Sequence, residues 1–581
     1  HNDEFYPLEG QIAEVAIHKV ALTPAQIKQN FERHQPRFPG ILPTIPEVRG
    51  WPTYLRDNAR TGYSQETLQL PLRPRWIHQT KYGVAPAWPA PAKQDFWNKK
   101  HDLPARVVYD RALHPVSDGQ RLYFGSSADD GVHCLDLATG QELWTYITEG
   151  PVRFAPTLDD GRLLVGSDDG HVYCLDTTSG QLAWKRRLPA QDRRIPGNGR
   201  IISSWPVRTG VFLEDGHVRC SAGLFPSQGV FQYVLDAKTG DILASGPLPF
   251  SPQGYLTRRG ASVVVPQGRA PITKLTEASP AGKFPASPDP GATNGPWFAR
   301  IRTSEFWILG AMNRVEAVRV KDARSVWHHD VDGTVLGLAF VNGCLLASTD
   351  KGTIACFSAR DAGPVAAVGD PVVDAPSPPP TGSAWGDYLR QLPVTYGYCL
   401  VVGDERELVD EIVGATNLSV VMAVADAGRC QELRRWLYDN GWSRRIRVHQ
   451  TAASTLPYGA MLFNLIVSPA KVPPDEIARL LRPHGGVAIL PSATPLSLGS
   501  EYTVANVEQV GTVVVRGKLP GAGEWTHLYA NPSNVSCSDD TLVKTDLALQ
   551  WFGRPGPEQL IDRHHRTVSP LYCGGRLFVP G

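Results

Sequence analysis

A unit of 40 residues recurs in the first half of the chain, and it restricts the fold more than any other feature. The segment V-H-C-L-D-L-A-T-G-Q-E-L-W (Val132 to Trp144) is matched by V-Y-C-L-D-T-T-S-G-Q-L-A-W (Val172 to Trp184). A strand-like run that begins with Asp-Gly precedes each copy. Short strands joined by Asp-Gly turns form hairpins, and a period near 40 residues is typical of a four-stranded propeller blade. The sequence therefore predicts a series of such blades.

Weaker copies of the unit extend the pattern. They occur at Tyr233 to Ala244, Val315 to Trp327 and Val341 to Phe357. The shared pattern A-x-D-x-x-T-G-x-x-x-W resembles the tryptophan-docking repeat of the pyrroloquinoline-quinone-like (PQQ-like) β-propellers. This resemblance predicts propeller blades over residues 45–370 and implies that Trp144 and Trp184 pack between adjacent blades rather than bind substrate.

A second repetition links the two ends of the chain. The segment from Trp51 to Leu68 is echoed 474 positions later, from Trp525 to Leu542. Downstream of each copy the order Asp-Arg, Pro, Gly-x-Arg-Leu-aromatic also recurs, ending at Tyr123 and at Phe578. Propeller sequence is therefore predicted to resume over residues 520–581 and to be truncated there. The sequence leaves open whether it rejoins the first ring or begins another.

The segment between these copies has a different character. A Pro-rich stretch at 371–384 predicts an extended linker. Apolar strands such as Tyr398 to Gly403 then alternate with helix-like runs such as Glu405 to Val413. This alternation predicts a parallel, doubly wound sheet. The fold class is therefore multidomain: a β-propeller with four-stranded blades and an inserted α/β, Rossmann-like domain at residues 385–515.

The inserted segment resembles a class I S-adenosylmethionine-dependent methyltransferase in its strand order, its L-R-P-H-G-G turn and its N-L-I-V strand. In that family a Gly-rich loop after the first strand and an acid ending the second strand bind the cofactor. The corresponding candidates are Gly403, Asp404 and Asp426. Gly403 is the only glycine of its loop, and Val424 stands where the acid is expected, so both motifs are degraded. No catalytic residue is assigned.

Other cofactor and metal chemistry has little support. A quinoprotein dehydrogenase would need a carboxylate-rich calcium site, whereas the Asp residues here lie mostly in turn positions, and PQQ is not expected. The His328-His329 and His564-His565 pairs do not predict a metal site, because adjacent strand residues point to opposite faces. No hydrolase, zincin or NTPase motif occurs. The net charge of +1 gives no reason to expect nucleic-acid binding, and no apolar run predicts a transmembrane segment.

The first residues carry a further resemblance. The segment from Gly10 to Ile27 is similar to the closing strand and short helix of a laminin-G-like, concanavalin A-type jelly roll, so residues 1–35 are predicted to be its C-terminal remnant. The whole combination resembles multidomain proteins of planctomycete-type bacteria. That architecture implies an extracytoplasmic location, in the periplasm or cell envelope, with any signal sequence outside this fragment.

The resulting functional prediction is a non-catalytic binding or scaffold protein with a protein or glycan partner on the propeller face and a degenerate methyltransferase-like domain. One alternative is a working methyltransferase with S-adenosylmethionine as cofactor. The other is a PQQ-dependent oxidoreductase.

Overall fold

The computed structural model describes most of the chain. The described residues are Gln26, Gln29 and the ranges 50–87, 110–267, 270–274, 297–359, 365–369, 383–469, 472–491, 496–544, 547–553 and 569–579. The predicted jelly-roll remnant, apart from two isolated residues, and most of the Pro-rich linker lie outside these ranges, as does the His564-His565 pair.

The two strong repeats fold as four-stranded antiparallel sheets, as predicted. After β1 (Arg73–Gln79), the first sheet contains β2 (Val116–Ser117), β3 (Arg121–Gly125), β4 (Gly131–Asp136) and β5 (Glu142–Ile147). The second contains β6 (Thr157–Asp159), β7 (Arg162–Gly166), β8 (His171–Asp176) and β9 (Leu182–Arg187). The repeated Asp ends the third strand of each sheet and closes the following turn: the Asp136 carboxylate accepts the Thr139 amide at 2.8 Å.

The propeller continues through two further sheets. A hairpin of β10 (Arg194–Gly197) and β11 (Arg200–Ser203) follows the second blade. The third blade contains β12 (Phe212–Glu214), β13 (His217–Ala222), β14 (Phe231–Asp236) and β15 (Ile242–Pro247). A three-stranded sheet contains β16 (Thr257–Arg259), β17 (Ser262–Gln267) and β18 (Ala270–Lys274).

A seven-stranded sheet completes the ring. It contains β1 together with β19 (Ala299–Arg302), β20 (Phe306–Arg319), β21 (Ser325–Val341), β22 (Cys344–Thr349), β23 (Thr353–Ser358) and β24 (Ala366–Val368). The early strand β1 pairs antiparallel with the late strand β23. Trp76 on β1 then donates from its indole to the Leu137 carbonyl of the first blade at 3.0 Å. The ring is therefore closed by residues that precede the α/β domain.

Tryptophan docking joins successive blades, which confirms the packing role predicted for Trp144 and Trp184. The Trp144 indole donates to the Thr177 carbonyl at 3.1 Å, and the Trp184 indole donates to the Ala237 carbonyl at 3.3 Å. In both cases the ring lies against the glycine of the next Asp-x-x-[TS]-Gly turn. A Cβ on Gly180 would lie 2.5 Å from the Trp144 ring, so only glycine leaves room for the indole.

The inserted domain is built on a mostly parallel sheet in the order β27-β26-β25-β28-β29-β31-β30. Its strands are β25 (Tyr398–Val402), β26 (Ser419–Val424), β27 (Ile446–Gln450), β28 (Leu465–Val467), β29 (Gly486–Leu490), β30 (Tyr502–Val507) and β31 (Gly511–Arg516). Its helices are α1 (Ala384–Gln391), α2 (Arg406–Ala415), α3 (Ala427–Asp439) and α4 (Pro474–Leu480). The first five strands run parallel, and β31 is antiparallel to both of its neighbours.

The two faces of this sheet are covered by different parts of the chain. Helices α1, α2 and α3 pack on one face. On the other face, α4 is joined by Ile201 of the propeller hairpin β10–β11, which packs with Leu400 and Val421. A loop, rather than a helix, connects β27 to β28. The propeller hairpin therefore supplies part of the cover that a crossover helix gives in a doubly wound sheet.

The C-terminal copy of the opening segment folds like the first. Trp51 and Ser117 exchange two backbone hydrogen bonds of 2.8 and 2.9 Å, and Trp525 and Tyr572 exchange two of 2.9 and 2.8 Å. The hairpin of β32 (Leu571–Cys573) and β33 (Arg576–Phe578) repeats that of β2 and β3. Within the described residues, neither β32 nor β33 joins a sheet of the ring. The second copy therefore adds no described strand to the first propeller.

Candidate functional site

The three predicted cofactor residues lie at the carboxyl edge of the parallel sheet. Gly403 directly follows β25 with a φ of +143°, and its amide donates to the Ala423 carbonyl at 3.1 Å. Asp426 is the N-cap of α3 and accepts the backbone amide of Arg429 at 2.7 Å. Asp404 accepts the Arg429 side chain at 2.9 Å. The structure thus places both acids at Arg429, Asp404 on its side chain and Asp426 on its backbone amide.

These contacts give both acids local partners. Because β26 ends at Val424, Asp426 lies beyond the strand and acts as a helix cap. The Asp404–Arg429 ion pair is about half exposed. The Glu405 carboxylate folds over Gly403 so closely that a Cβ on this glycine would overlap it. The space beside Gly403 is therefore occupied by a neighbouring side chain of the same loop.

The strongest electrostatic feature lies elsewhere, where the propeller meets the α/β domain. Glu149, in the connection after β5, is buried and forms ion pairs with Lys185, with Arg194 at 2.8 Å and with Arg434 of α3 at 3.4 Å. Burial alone would raise the pKa of the Glu149 carboxyl. The charges of Arg194, Arg434 and Lys185 outweigh that effect and hold this pKa well below its usual range.

A second buried acid makes a similar connection. Asp130 accepts a hydrogen bond from Arg200 of the hairpin at 2.6 Å, and its other carboxylate oxygen lies 2.6 Å from Arg447 of β27. Sequence reasoning missed both Asp130 and Glu149. The only signal was an acid in a short connection between two strands, and that signal is ordinarily read as a solvated turn.

Buried arginines from the connections between propeller sheets also neutralise buried acids. Asp168 accepts bonds from Arg153 at 2.6 Å and from Arg208 at 2.6 and 2.9 Å, and Arg153 also reaches Asp110 at 2.7 Å. No group of three or more His, Cys, Asp or Glu side chains suited to a metal ion occurs within the part of the chain that the structure describes.

Aromatic residues pack beside this network. Tyr54 stacks on Tyr255 with ring centroids 3.6 Å apart, and the His114 ring meets Tyr54 edge-on at 5.1 Å. The buried Arg60 guanidinium lies 5.7 Å from the centre of the Tyr255 ring. These rings pack against one another, and a cavity of about 220 Å³ lies beside Tyr54 and His114.

Of the two histidine pairs, His328-His329 lies within the described residues. His328 and His329 lie side by side on β21, opposite Glu316 and Val315 of β20. His328 is exposed, whereas His329 is partly buried and contacts Phe357. The two rings therefore occupy different environments.

An open groove of about 720 Å³ runs along the junction of the two domains. One wall is the propeller segment 187–193, and the other is the loop 450–460 beyond the carboxyl end of β27, with part of α4. The lining is mainly polar, with amide, hydroxyl and guanidinium groups. Arg479 is held by Glu476 at 2.7 Å and donates to the Leu456 carbonyl, so it braces the wall of the groove.

Comparison with known proteins is consistent with this geometry. Residues 88–269 match a family model described as "Outer membrane protein assembly factor BamB". The propeller is of the PQQ-like type. The matched region, the 40-residue repeat and the four-stranded antiparallel sheets together indicate this type. No curated protein sequence matches the chain.

Solved structures similar to the chain include two dehydrogenases and a BamB. Quinohemoprotein alcohol dehydrogenase from Comamonas testosteroni is 15% identical over 51% of this chain and 46% of that chain, with a TM-score of 0.26. BamB from Moraxella catarrhalis is 12% identical over 50% of this chain and 100% of that chain, with a TM-score of 0.22. A europium-containing methanol dehydrogenase is 13% identical over 53% of this chain and 58% of that chain, with a TM-score of 0.26. The chain thus spans about half the length of the first of these.

Within the described ranges no helix combines the length and the apolar character needed to cross a bilayer.

Proposed function

We propose that this chain is a non-catalytic binding protein in which the PQQ-like propeller holds the α/β domain in a fixed position and the two domains together form the binding groove. The observation that carries the proposal is the Glu149 cluster. A buried carboxylate joins Arg194 of the propeller hairpin to Arg434 of the α/β domain. Breaking a buried ion pair costs roughly 3–5 kcal/mol, so this contact strongly favours one relative position of the domains.

The state of the candidate cofactor residues supports a role without turnover. Asp404 and Asp426 are both engaged by Arg429, and Glu405 fills the space beside Gly403. The residues as arranged do not fit S-adenosylmethionine, because ribose hydroxyls would have to displace the Arg429 guanidinium from Asp404 and the backbone amide of α3 from Asp426.

The ring interior supports the same conclusion for a quinone. Asp110 and Asp168 direct their carboxylates toward Arg153 and Arg208 rather than toward a shared cation position. The aromatic rings of Tyr54 and Tyr255 stack on each other beside this network. These residues do not fit a calcium-bound quinone.

The groove supports a partner that binds through many polar contacts. Its walls present backbone amides together with Gln191, Thr451 and Ser454, and it is open along its length. An extended protein segment can satisfy such donors and acceptors with its own backbone. The description of the matched family, an assembly factor of the outer membrane, supports a protein partner and an extracytoplasmic location for this chain. A glycan is the alternative partner.

The test compares a groove variant with a surface variant in the full chain. A Ser454→Trp variant narrows the groove at an exposed position, and Ser533→Trp, exposed and outside the lining, is its control. Proteins cross-linked to the wild-type chain in envelope extracts would be identified by mass spectrometry. We expect a discrete protein set that Ser454→Trp loses and Ser533→Trp retains. Equal capture by both variants would exclude the groove as the binding site.

One observation favours a second candidate function, that of a methyltransferase. The five parallel strands have the order 3-2-1-4-5, so Gly403 lies at the switch point between β25 and β28, where doubly wound sheets bind ligands. Calorimetry of the full chain with S-adenosylmethionine tests it. Micromolar binding that Asp404→Asn abolishes would establish this candidate over the first, whereas no heat at millimolar cofactor would remove it.

A further inference from the structure

A small pocket lies between the propeller and the α/β domain, apart from the groove. It is about 30 Å³ in volume and is bounded by the connection after β5, the tip of the hairpin β10–β11, the amino ends of β25 and β26, and the turn that leads into β27. Four arginines line it: Arg200, Arg444, Arg445 and Arg447. Because the propeller supplies the first and the α/β domain the other three, the pocket exists only when the domains are docked.

The positive charge of the pocket is only partly balanced. Asp130 is shared by Arg200 and Arg447, each within 2.6 Å. The other acid of the lining, Glu149, is bound by three cations that are not part of the lining. Burial first, and then the nearby charge of Arg447, lower the pKa of Arg200 to about 10. Buried charge without a counter-charge is costly, so the pocket favours an anion.

Unused donors point to the same conclusion. The Nη2 atom of Arg447 is buried and has no hydrogen-bond acceptor among the described residues. Arg444 is exposed at the rim, and no carboxylate in the described ranges pairs with it. By contrast, Arg445 donates to the carbonyls of Thr416 and Leu418, and it contributes charge rather than free donors.

We propose that this arginine pocket binds one tetrahedral oxyanion, a phosphate or sulfate group, which Arg447 and Arg444 hold and which bridges the two domains. Guanidinium groups bind such oxyanions through charge-assisted hydrogen bonds, often in pairs. The volume admits a single small group and excludes a nucleotide. The opening at Arg444 leaves room for the substituent of a monoester, so the group is either the free ion or the terminal group of a larger ligand.

Calorimetry and thermal unfolding of the full chain test the proposal, with sodium phosphate compared against sodium chloride at equal ionic strength. We expect heat of binding and a higher melting temperature with phosphate alone. The Arg444→Gln variant removes an exposed donor and will fold, and it should bind phosphate about ten-fold or more weakly. Arg435→Gln is the control, because this arginine of α3 pairs with Asp439 and does not line the pocket.

Two further outcomes are decisive. Equal effects of phosphate and chloride on the wild-type chain would overturn the proposal, as would unchanged phosphate binding in Arg444→Gln. Titration with glycerol 1-phosphate then separates the two sources of the group. Binding as tight as that of phosphate identifies the terminal group of a larger ligand, and binding of phosphate alone identifies the free ion.

Discussion

Leu577 occupies the position in the C-terminal copy that Leu122 occupies in the first blade, yet the first is 52% exposed and the second is fully buried. Both follow the Gly-x-Arg turn of the repeated hairpin, on β33 and β3 respectively. Leu122 packs in the core that joins the first blade to the seven-stranded sheet. One local sequence therefore forms the same hairpin with and without the neighbouring blade.

This pair of leucines gives a matched test of tertiary packing. Leu122→Ala should lower the free energy of unfolding by about 2–5 kcal/mol, because it leaves a cavity in a closed core. Leu577→Ala should cost less than about 1 kcal/mol, since the side chain is already half hydrated. Urea denaturation followed by tryptophan fluorescence measures both. A large loss for Leu577→Ala would mean that the second hairpin is buried in solution.

Tryptophan docking predicts that alanine substitution of two glycines with similar φ angles lowers the free energy of unfolding by different amounts. Gly180 (φ +69°) contacts the Trp144 ring, whereas Gly161 (φ +80°) has nothing within 4 Å of an added Cβ. Gly161→Ala should cost about 1–2 kcal/mol, the strain of a left-handed residue. Gly180→Ala should cost a further 1–3 kcal/mol or so, because the methyl group displaces the indole. Thermal denaturation measures both variants. If both lose the same unfolding free energy, contact with the Trp144 ring adds nothing to the backbone strain at Gly180.

The next prediction concerns pH. His133 lies between Asp129 and Glu142, both within 3.2 Å. Burial would lower the pKa of His133, but these two carboxylates raise it from 6.5 to about 10. Since the folded state holds the proton more tightly, this stabilisation is complete below about pH 6.5 and is lost as the pH rises toward 10.

The neighbouring blade provides the control for that prediction. Its equivalent residue is Tyr173, which donates to Asp169. A His133→Tyr variant should therefore fold, and its unfolding free energy should lack the fall of a few kcal/mol that the wild-type chain shows between pH 6.5 and 10. Identical pH profiles for the two proteins would mean that His133 titrates normally.

The propeller hairpin should stabilise the α/β domain. Ile201→Ala removes a buried side chain from the core formed with Leu400 and Val421, and we expect a loss of about 2–4 kcal/mol. Ile242→Ala changes an isoleucine on β15 that is 41% exposed, and it should cost less than about 1 kcal/mol. Hydrogen exchange of β25 and β26 measures the effect locally. Unaltered protection of these strands in Ile201→Ala would show that their cover does not depend on the hairpin.

The sequence predicted those parts of the fold that local patterns encode. The Asp-x-x-[TS]-Gly turns, the docking role of Trp144 and Trp184 and the four-stranded sheets all follow from residues within one 40-residue unit. The methyltransferase type of the inserted domain and the laminin-G-like character of residues 1–35 stay predictions.

Contacts between segments that are distant in the chain could not be predicted from the sequence. Nothing near Arg73 indicates that β1 pairs with a strand almost 280 residues later. Glu149 lies 285 positions before Arg434, and an acid in a short connection has the same local pattern whether it is solvated or buried. For the candidate site, the sequence predicted that Asp404 and Asp426 follow strand ends. Only the fold shows that both acids contact Arg429.

The contacts between the two domains also restrict how the chain can evolve by recombination. Because β1 closes the ring by itself, recombination that exchanges the α/β domain would leave every propeller sheet intact. It would nevertheless remove Arg434 from Glu149 and Arg447 from Asp130. It would also expose Ile201 to solvent. A hybrid would therefore keep the carboxylates of Glu149 and Asp130 without the arginines that pair with them across the junction. These two domains, although separable by topology, should descend together as one heritable unit.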